Sequence, residues 1–179
     1  GAMIAVMGLS PEQVRQLCKW TEGESGFSPL EPANFNAPGQ IVCSGSSQAV
    51  QWLKNNLNKE IFYPIPKRLK LIPLNVSAPF HCSLMQPAQD KMALVLKTMD
   101  IMDSKIPIIQ NVTAEEETQA EKLRTNLISQ ISAPVRWIES VELMEKGNIT
   151  NIIECGGGKV LAGLIKKISS TQLNVYNLN

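Results

Sequence analysis

The sequence is short of the residues from which nucleic-acid, membrane and metal sites are built. Aromatic residues are 5% of the chain and the formal net charge is +1. That leaves no base-stacking platform, and no electrostatic reason to expect nucleic acid or a membrane surface as partner. No apolar run reaches the ~18 residues of a membrane-spanning helix, and no stretch reads as a signal peptide. The four cysteines (Cys18, Cys43, Cys82, Cys155) are widely spaced, and only one histidine accompanies them. A conventional zinc site therefore has no support, and the cysteines read as reduced thiols of a cytoplasmic protein. No metal or bound cofactor is expected.

Two catalytic motifs are also missing. Gly156-Gly-Gly-Lys159 follows an apolar run, but a phosphate loop needs four residues before its Gly-Lys and a Ser or Thr after it, where Val160 stands. The glycines read instead as a tight strand-to-helix turn. A G-x-S-x-G serine elbow occurs nowhere in the 179 residues.

What is present is ordinary globular material, 44% hydrophobic and 18% charged. The start, Gly1-Ala-Met-Ile-Ala-Val-Met-Gly, runs straight into a strand, either after a cloning scar or from the middle of something larger. Ser10-Pro11 is a helix N-cap followed by Pro at the first helical position. A helix over 12–21, a short strand near 33–36, a strand over 40–44, a helix over 46–57 and an extended stretch over 67–76 follow. The order β-α-β-β-α-β is the split, ferredoxin-like pattern. The second half predicts a helix over 84–102, with Met85, Met92, Leu96 and Met99 filling a core. It also predicts a buried strand over 106–110, helices over 114–130 and 134–146, a strand over 151–154, a helix over 160–168 and a closing strand over 173–176. Strands alternating with helices suggest a parallel sheet with covered faces.

His81 is the one imidazole available for proton transfer at neutral pH. As an arbitrary histidine it would be a surface or core residue. Its flanks argue otherwise, because Pro79 and Phe80 stiffen the approach and a helix follows, so the ring sits where a loop enters a rigid element. Cys82 beside it is badly placed to share its proton and reads as a small buried thiol. Asn34-Phe-Asn-Ala-Pro-Gly-Gln40 is either a hydrogen-bonded turn between strands or a polar wall for a ligand rich in amides and hydroxyls. Lys67-Arg-Leu-Lys70 is a compact basic cluster, either a solvated face or an attractor of an acidic partner.

Taken together, Asn34 to Gln40, Val76 to Met85 around Phe80-His81, and Glu154-Cys-Gly-Gly-Gly-Lys-Val-Leu161 resemble the malonyl-CoA:acyl carrier protein transacylases of fatty acid and polyketide synthesis. The opening residues are similar to the start of that family's small domain. The resemblance runs along the whole chain but covers only the C-terminal part of the family's catalytic domain. It implies an α/β fold: a ferredoxin-like small subdomain (1–76), then the C-terminal part of an α/β-hydrolase-like parallel-sheet domain (77–179).

The resemblance also implies the chemistry. A serine takes malonyl from malonyl-CoA and passes it to the phosphopantetheine thiol of acyl carrier protein, with His81 as general base and acid. Gln130 would orient the imidazole through its main-chain carbonyl. Phe80 resembles the pattern linked to malonyl rather than methylmalonyl selection. Asn34 and Asn36 would lie near the acyl and pantetheine site, and Lys67, Arg68 and Lys70 would face the carrier protein. The family's nucleophile, its Gln-rich oxyanion loop and its malonyl-binding arginine are absent from these residues. A second departure is Gly157, where the family commonly has proline. The chain alone is thus expected to be inactive and to need a missing N-terminal segment. The alternative is a non-catalytic module that binds acyl carrier protein or acyl-CoA.

Overall fold

A computed structural model of the chain describes residues 1–171 and 173–178. Its first half is organised around β1 (Ala2–Met7), whose inner four residues are all buried. Such an apolar run suits a central strand covered on both faces. Ser10 then starts α1 (Pro11–Ser25) with a complete capping box. The Gln13 amide N–H donates to Ser10 Oγ at 3.3 Å, and the Ser10 N–H donates to Gln13 Oε1 at 3.0 Å. The hairpin β2 (Leu30–Ala37) and β3 (Gln40–Gly45) turns at Pro38-Gly39. Ser46 caps α2 (Ser47–Asn56), and β4 (Lys70–Pro73) closes the sheet.

The strand order is β2-β3-β1-β4, with every neighbouring pair antiparallel. Each helix links two strands that lie on either side of a third, so two split β-α-β units interlock. Along β1, Ile4 and Val6 point into the main core with Val14, Leu17, Ile41, Leu53 and Phe62, while Met3 and Ala5 join Ala33 and Val42 on the other face. Gly8 has no alternative residue, because a Cβ there would lie 1.8 Å from the Arg68 carbonyl oxygen at a φ of +92°. All four cysteines are free thiols. Cys18 Sγ lies 3.6 Å from Cys43 Sγ, and that contact together with burial pushes the Cys43 thiol up.

The second half is more open. A 3-10 turn (Ser83–Met85) leads into α3 (Gln86–Thr98), and β5 (Ile108–Ile109) pairs with β6 (Glu116–Glu117). Then come α4 (Ala120–Ser129), α5 (Trp137–Lys146), β7 (Asn151–Cys155), α6 (Val160–Ile168) and β8 (Asn174–Leu178). β7 and β8 are parallel. Helices α5 and α6 both pack on β2. Among the described residues no helix is long and apolar enough to cross a membrane.

Four expectations need correction here. The methionine stripe of α3 fills no core, for Met92 is 44% and Met99 50% exposed and no residue of the helix is buried. Helix α4 covers only part of it, by way of Arg124, which donates to the Leu96 and Met99 carbonyls. The segment 106–110 is not a buried strand. Only Ile108 and Ile109 pair, and Ile106 is exposed. Helix α4 starts at Ala120 rather than 114, since Glu116 and Glu117 pair with β5 and the Ala120 N–H is held by Asp103 Oδ1 at 2.8 Å. Helix α5 starts at Trp137 rather than 134, because Val135 is hydrogen-bonded to β2.

One carboxylate ties the last three elements together. Glu154 on β7 accepts from the Leu161 and Ala162 N–H groups at the start of α6, both at 3.0 Å. It also accepts from Asn177 Nδ2 on β8 at 3.0 Å, and that amide reaches the Gly158 carbonyl at 2.9 Å. The Ala162 N–H bond, chiefly, holds the Glu154 carboxyl below the usual glutamate range. Its contribution is therefore complete above the ordinary glutamate pKa of ~4.3 and is lost as pH falls through the lower folded value.

Two outcomes are expected. Ser10→Ala should lower stability by about 1 kcal/mol in urea unfolding, the usual loss for an N-cap. In wild-type protein, hydrogen-exchange protection of the Leu161 and Ala162 amides should fall once pH drops below the usual glutamate range. In Glu154→Gln it should be low at every pH.

Candidate functional site

His81 sits in the turn between Pro79-Phe80 and the 3-10 turn, with a φ of +60°. A non-glycine residue in this left-handed region persists only where its surroundings hold it. The holding groups are visible. Cys82 is fully buried and donates its thiol to the Pro79 carbonyl at 3.1 Å. Next to it, the Ser83 N–H donates to Glu31 Oε2 of β2 at 2.7 Å.

The ring faces two main-chain carbonyls. His81 Nδ1 lies 2.9 Å from the Gln130 oxygen and 3.2 Å from the Ala133 oxygen. A carbonyl only accepts, so Nδ1 carries the proton and Nε2 is left as the ring's lone-pair nitrogen. Half-buried and held in one tautomer, the imidazole can accept a proton at Nε2 while Nδ1 stays bonded.

The carbonyls are in place because the chain after α4 is pinned to the first sheet. Gln130 closes α4 with its N–H on the Asn126 oxygen at 2.9 Å. Further along, the Val135 N–H donates to the Ala33 oxygen at 2.8 Å, and the Phe35 N–H donates to the Val135 oxygen at 2.9 Å. This parallel bridge lies at Asn34. Strand β2 thus fixes the histidine from one side, through Glu31, and its acceptors from the other.

A cavity of about 410 Å³ opens at the ring, lined by Phe80, His81, Met85, Ala88, Met92, Gln130 and Ile131. Of the residues singled out from sequence, the structure brings together Phe80, His81 and Gln130. Asn34 and Asn36, half-buried on β2 beside the bridge, do not line this cavity. Lys67, Arg68 and Lys70 are exposed and line a separate groove of about 740 Å³ at β4, which Lys59 joins. Sequence reading missed Glu31 and Ala133. Ala133 acts through its backbone, which leaves no side-chain signal, and Glu31 looks like any surface acid until β2 is folded. Met85 and Met92, assigned to a core, line the cavity instead.

The start of α6 offers no phosphate cradle, because Glu154 already occupies its free N–H groups. Among the described residues no cluster of three or more His, Cys, Asp or Glu could hold a metal ion.

No family model matches the chain. It is 40% identical over 169 residues to the malonyl CoA-acyl carrier protein transacylase of Bacillus subtilis, covering 94% of this chain and 51% of that protein. The corresponding Staphylococcus aureus protein is 37% identical over 169 residues, with 94% and 52% covered. Among solved structures, a malonyl-transacylase in complex with a type II PKS acyl-carrier protein superimposes with a TM-score of 0.86 at 35% identity. The match covers 99% of this chain and 54% of that one. The Coxiella burnetii transacylase gives 0.86 at 34% identity, with 99% and 53% covered. The chain therefore has an α/β fold shared with these structures, and its homologues are malonyl CoA-acyl carrier protein transacylases, of whose length it spans about half.

Proposed function

We propose that the chain is the C-terminal portion of a transacylase that moves malonyl from malonyl-CoA to the phosphopantetheine thiol of acyl carrier protein. The observation that carries this reading is the contact between His81 Nδ1 and the Gln130 main-chain oxygen at 2.9 Å, beside an open cavity. Residues 1–76 act as a ferredoxin-like small subdomain. Residues 77–179 act as the C-terminal part of an α/β-hydrolase-like domain. The exposed faces of β7 and β8 suit burial against an N-terminal segment that carries the serine. The enzyme works in the cytoplasm.

In this reading His81 Nε2 takes the serine proton as the hydroxyl attacks the malonyl thioester, and returns it to the departing CoA thiolate. In the second half-reaction it takes the proton of the carrier thiol and gives it back to the serine. The Gln130 and Ala133 carbonyls hold the imidazole and stabilise the transient imidazolium by their dipoles. Neutral acceptors do this less strongly than a carboxylate, which a thiolate leaving group tolerates. Phe80, at the cavity wall, restricts the space open to an α-methyl group. Asn34 and Asn36 lie toward the acyl and pantetheine chain, and Lys67, Arg68 and Lys70 receive the acidic carrier protein.

The test joins this chain to the N-terminal half of the Bacillus subtilis relative and follows labelled malonyl from malonyl-CoA to holo-acyl carrier protein. Transfer is expected, and His81→Ala should lower it by about four to six orders of magnitude. Phe80→Ala should raise kcat/KM for methylmalonyl-CoA relative to malonyl-CoA by about 10-fold or more. A joined enzyme that transfers nothing, while the chain alone binds carrier protein, would replace this reading with the non-catalytic binding module.

A further inference from the structure

The segment that offers carbonyls to His81 is braced at both ends by one residue outside it. Asn111, in the turn after β5, donates from its side-chain Nδ2 to Gln130 Oε1 at 3.3 Å. The main-chain oxygen of the same residue accepts from the Arg136 N–H at 3.0 Å. Arg136 reinforces the joint by donating from its guanidinium to the Thr113 oxygen at 2.6 Å. Both Glu139 carboxylate oxygens in turn hold that guanidinium, Oε1 at 2.8 Å from Nε. Gln130 and Arg136 thus bracket the carbonyls of Gln130 and Ala133, and Asn111 touches both brackets.

The two contacts of Asn111 are separable. Its carbonyl contact survives replacement of the side chain. Nor is the side-chain amide needed to end α4, which closes on Asn126, or to hold Val135, which is bonded to β2. What remains for Asn111 Nδ2 is the orientation of residue 130 itself, whose carbonyl is the nearer acceptor of His81 Nδ1. We propose that Asn111 is a positioning residue for His81, acting through the Gln130 side chain to aim the Gln130 carbonyl at Nδ1. Its catalytic consequence rests on the transacylase reading, whereas the positioning itself does not.

The single histidine makes the test direct, because every imidazole signal in a ¹⁵N spectrum of the 179-residue chain belongs to His81. Wild-type protein should show the Nδ1–H tautomer with slow solvent exchange of that proton. Asn111→Leu should speed the exchange several-fold and mix the tautomers, and Gln130→Ala, which keeps the carbonyl, should do the same. The double variant should be no worse than the larger single effect, since both cut one path. An unchanged imidazole spectrum in Asn111→Leu, or effects that add in the double variant, overturns the inference. In the joined enzyme Asn111→Leu should lower kcat with little change in KM for malonyl-CoA. A joined wild-type enzyme without transfer overturns the transacylase reading alone, while the spectra still decide the role of Asn111.

Discussion

Two hydrogen bonds of Val135, to Ala33 and from Phe35 at 2.8 and 2.9 Å, join the chain after α4 to the antiparallel sheet. The first half packs around its own core, to which the second adds Ile138 of α5. The second half is a set of short elements with few buried side chains, and its position depends on what it touches in β2. Register irregularities between Pro32 and Asn34 and between Phe35 and Ala37 let one edge strand serve both roles. It pairs with β3 on one side and leaves main-chain groups to meet Val135 on the other. With Glu31 holding Ser83 from the same strand, the imidazole and its acceptors share one rigid reference.

Legibility in the sequence divided along the same line. The first half was readable because each element carries its own local signal. Ser10-Pro11 marks a helix start, Pro38-Gly39 a turn, and apolar spacing marks α1 and α2. Those signals and the observed bounds agree to within a few residues. In the second half the patterns were sound but the surroundings decided. Met85, Met92 and Met99 have core-like spacing, yet among the described residues α4 covers only part of that face, and two of them line a cavity. Ile106 to Gln110 looks like a buried strand, but only a two-residue partner reaches it.

The site was partly legible for a different reason. His81 stands out by scarcity, and Gln130 entered through family resemblance rather than any spacing. The remaining supports work through main-chain atoms or through contacts distant in sequence, such as Glu31 to Ser83 and Asn111 to Gln130. Neither kind has a periodic signature. A carbonyl that fixes a tautomer can belong to any residue, so the identity of Ala133 says nothing of its role.

The left-handed backbone at His81 has a consequence for which residues can stand there at all. At a φ of +60° glycine is free of strain, asparagine and aspartate tolerate the conformation, and β-branched residues do not. Position 81 is therefore screened twice, once for a side chain that moves protons and once for a backbone that can bend the wrong way. Loss of the first property leaves the second in force, so the replacements that keep the loop intact form a much shorter set than those that merely remove an imidazole. The geometry of the turn would outlast the chemistry it presents.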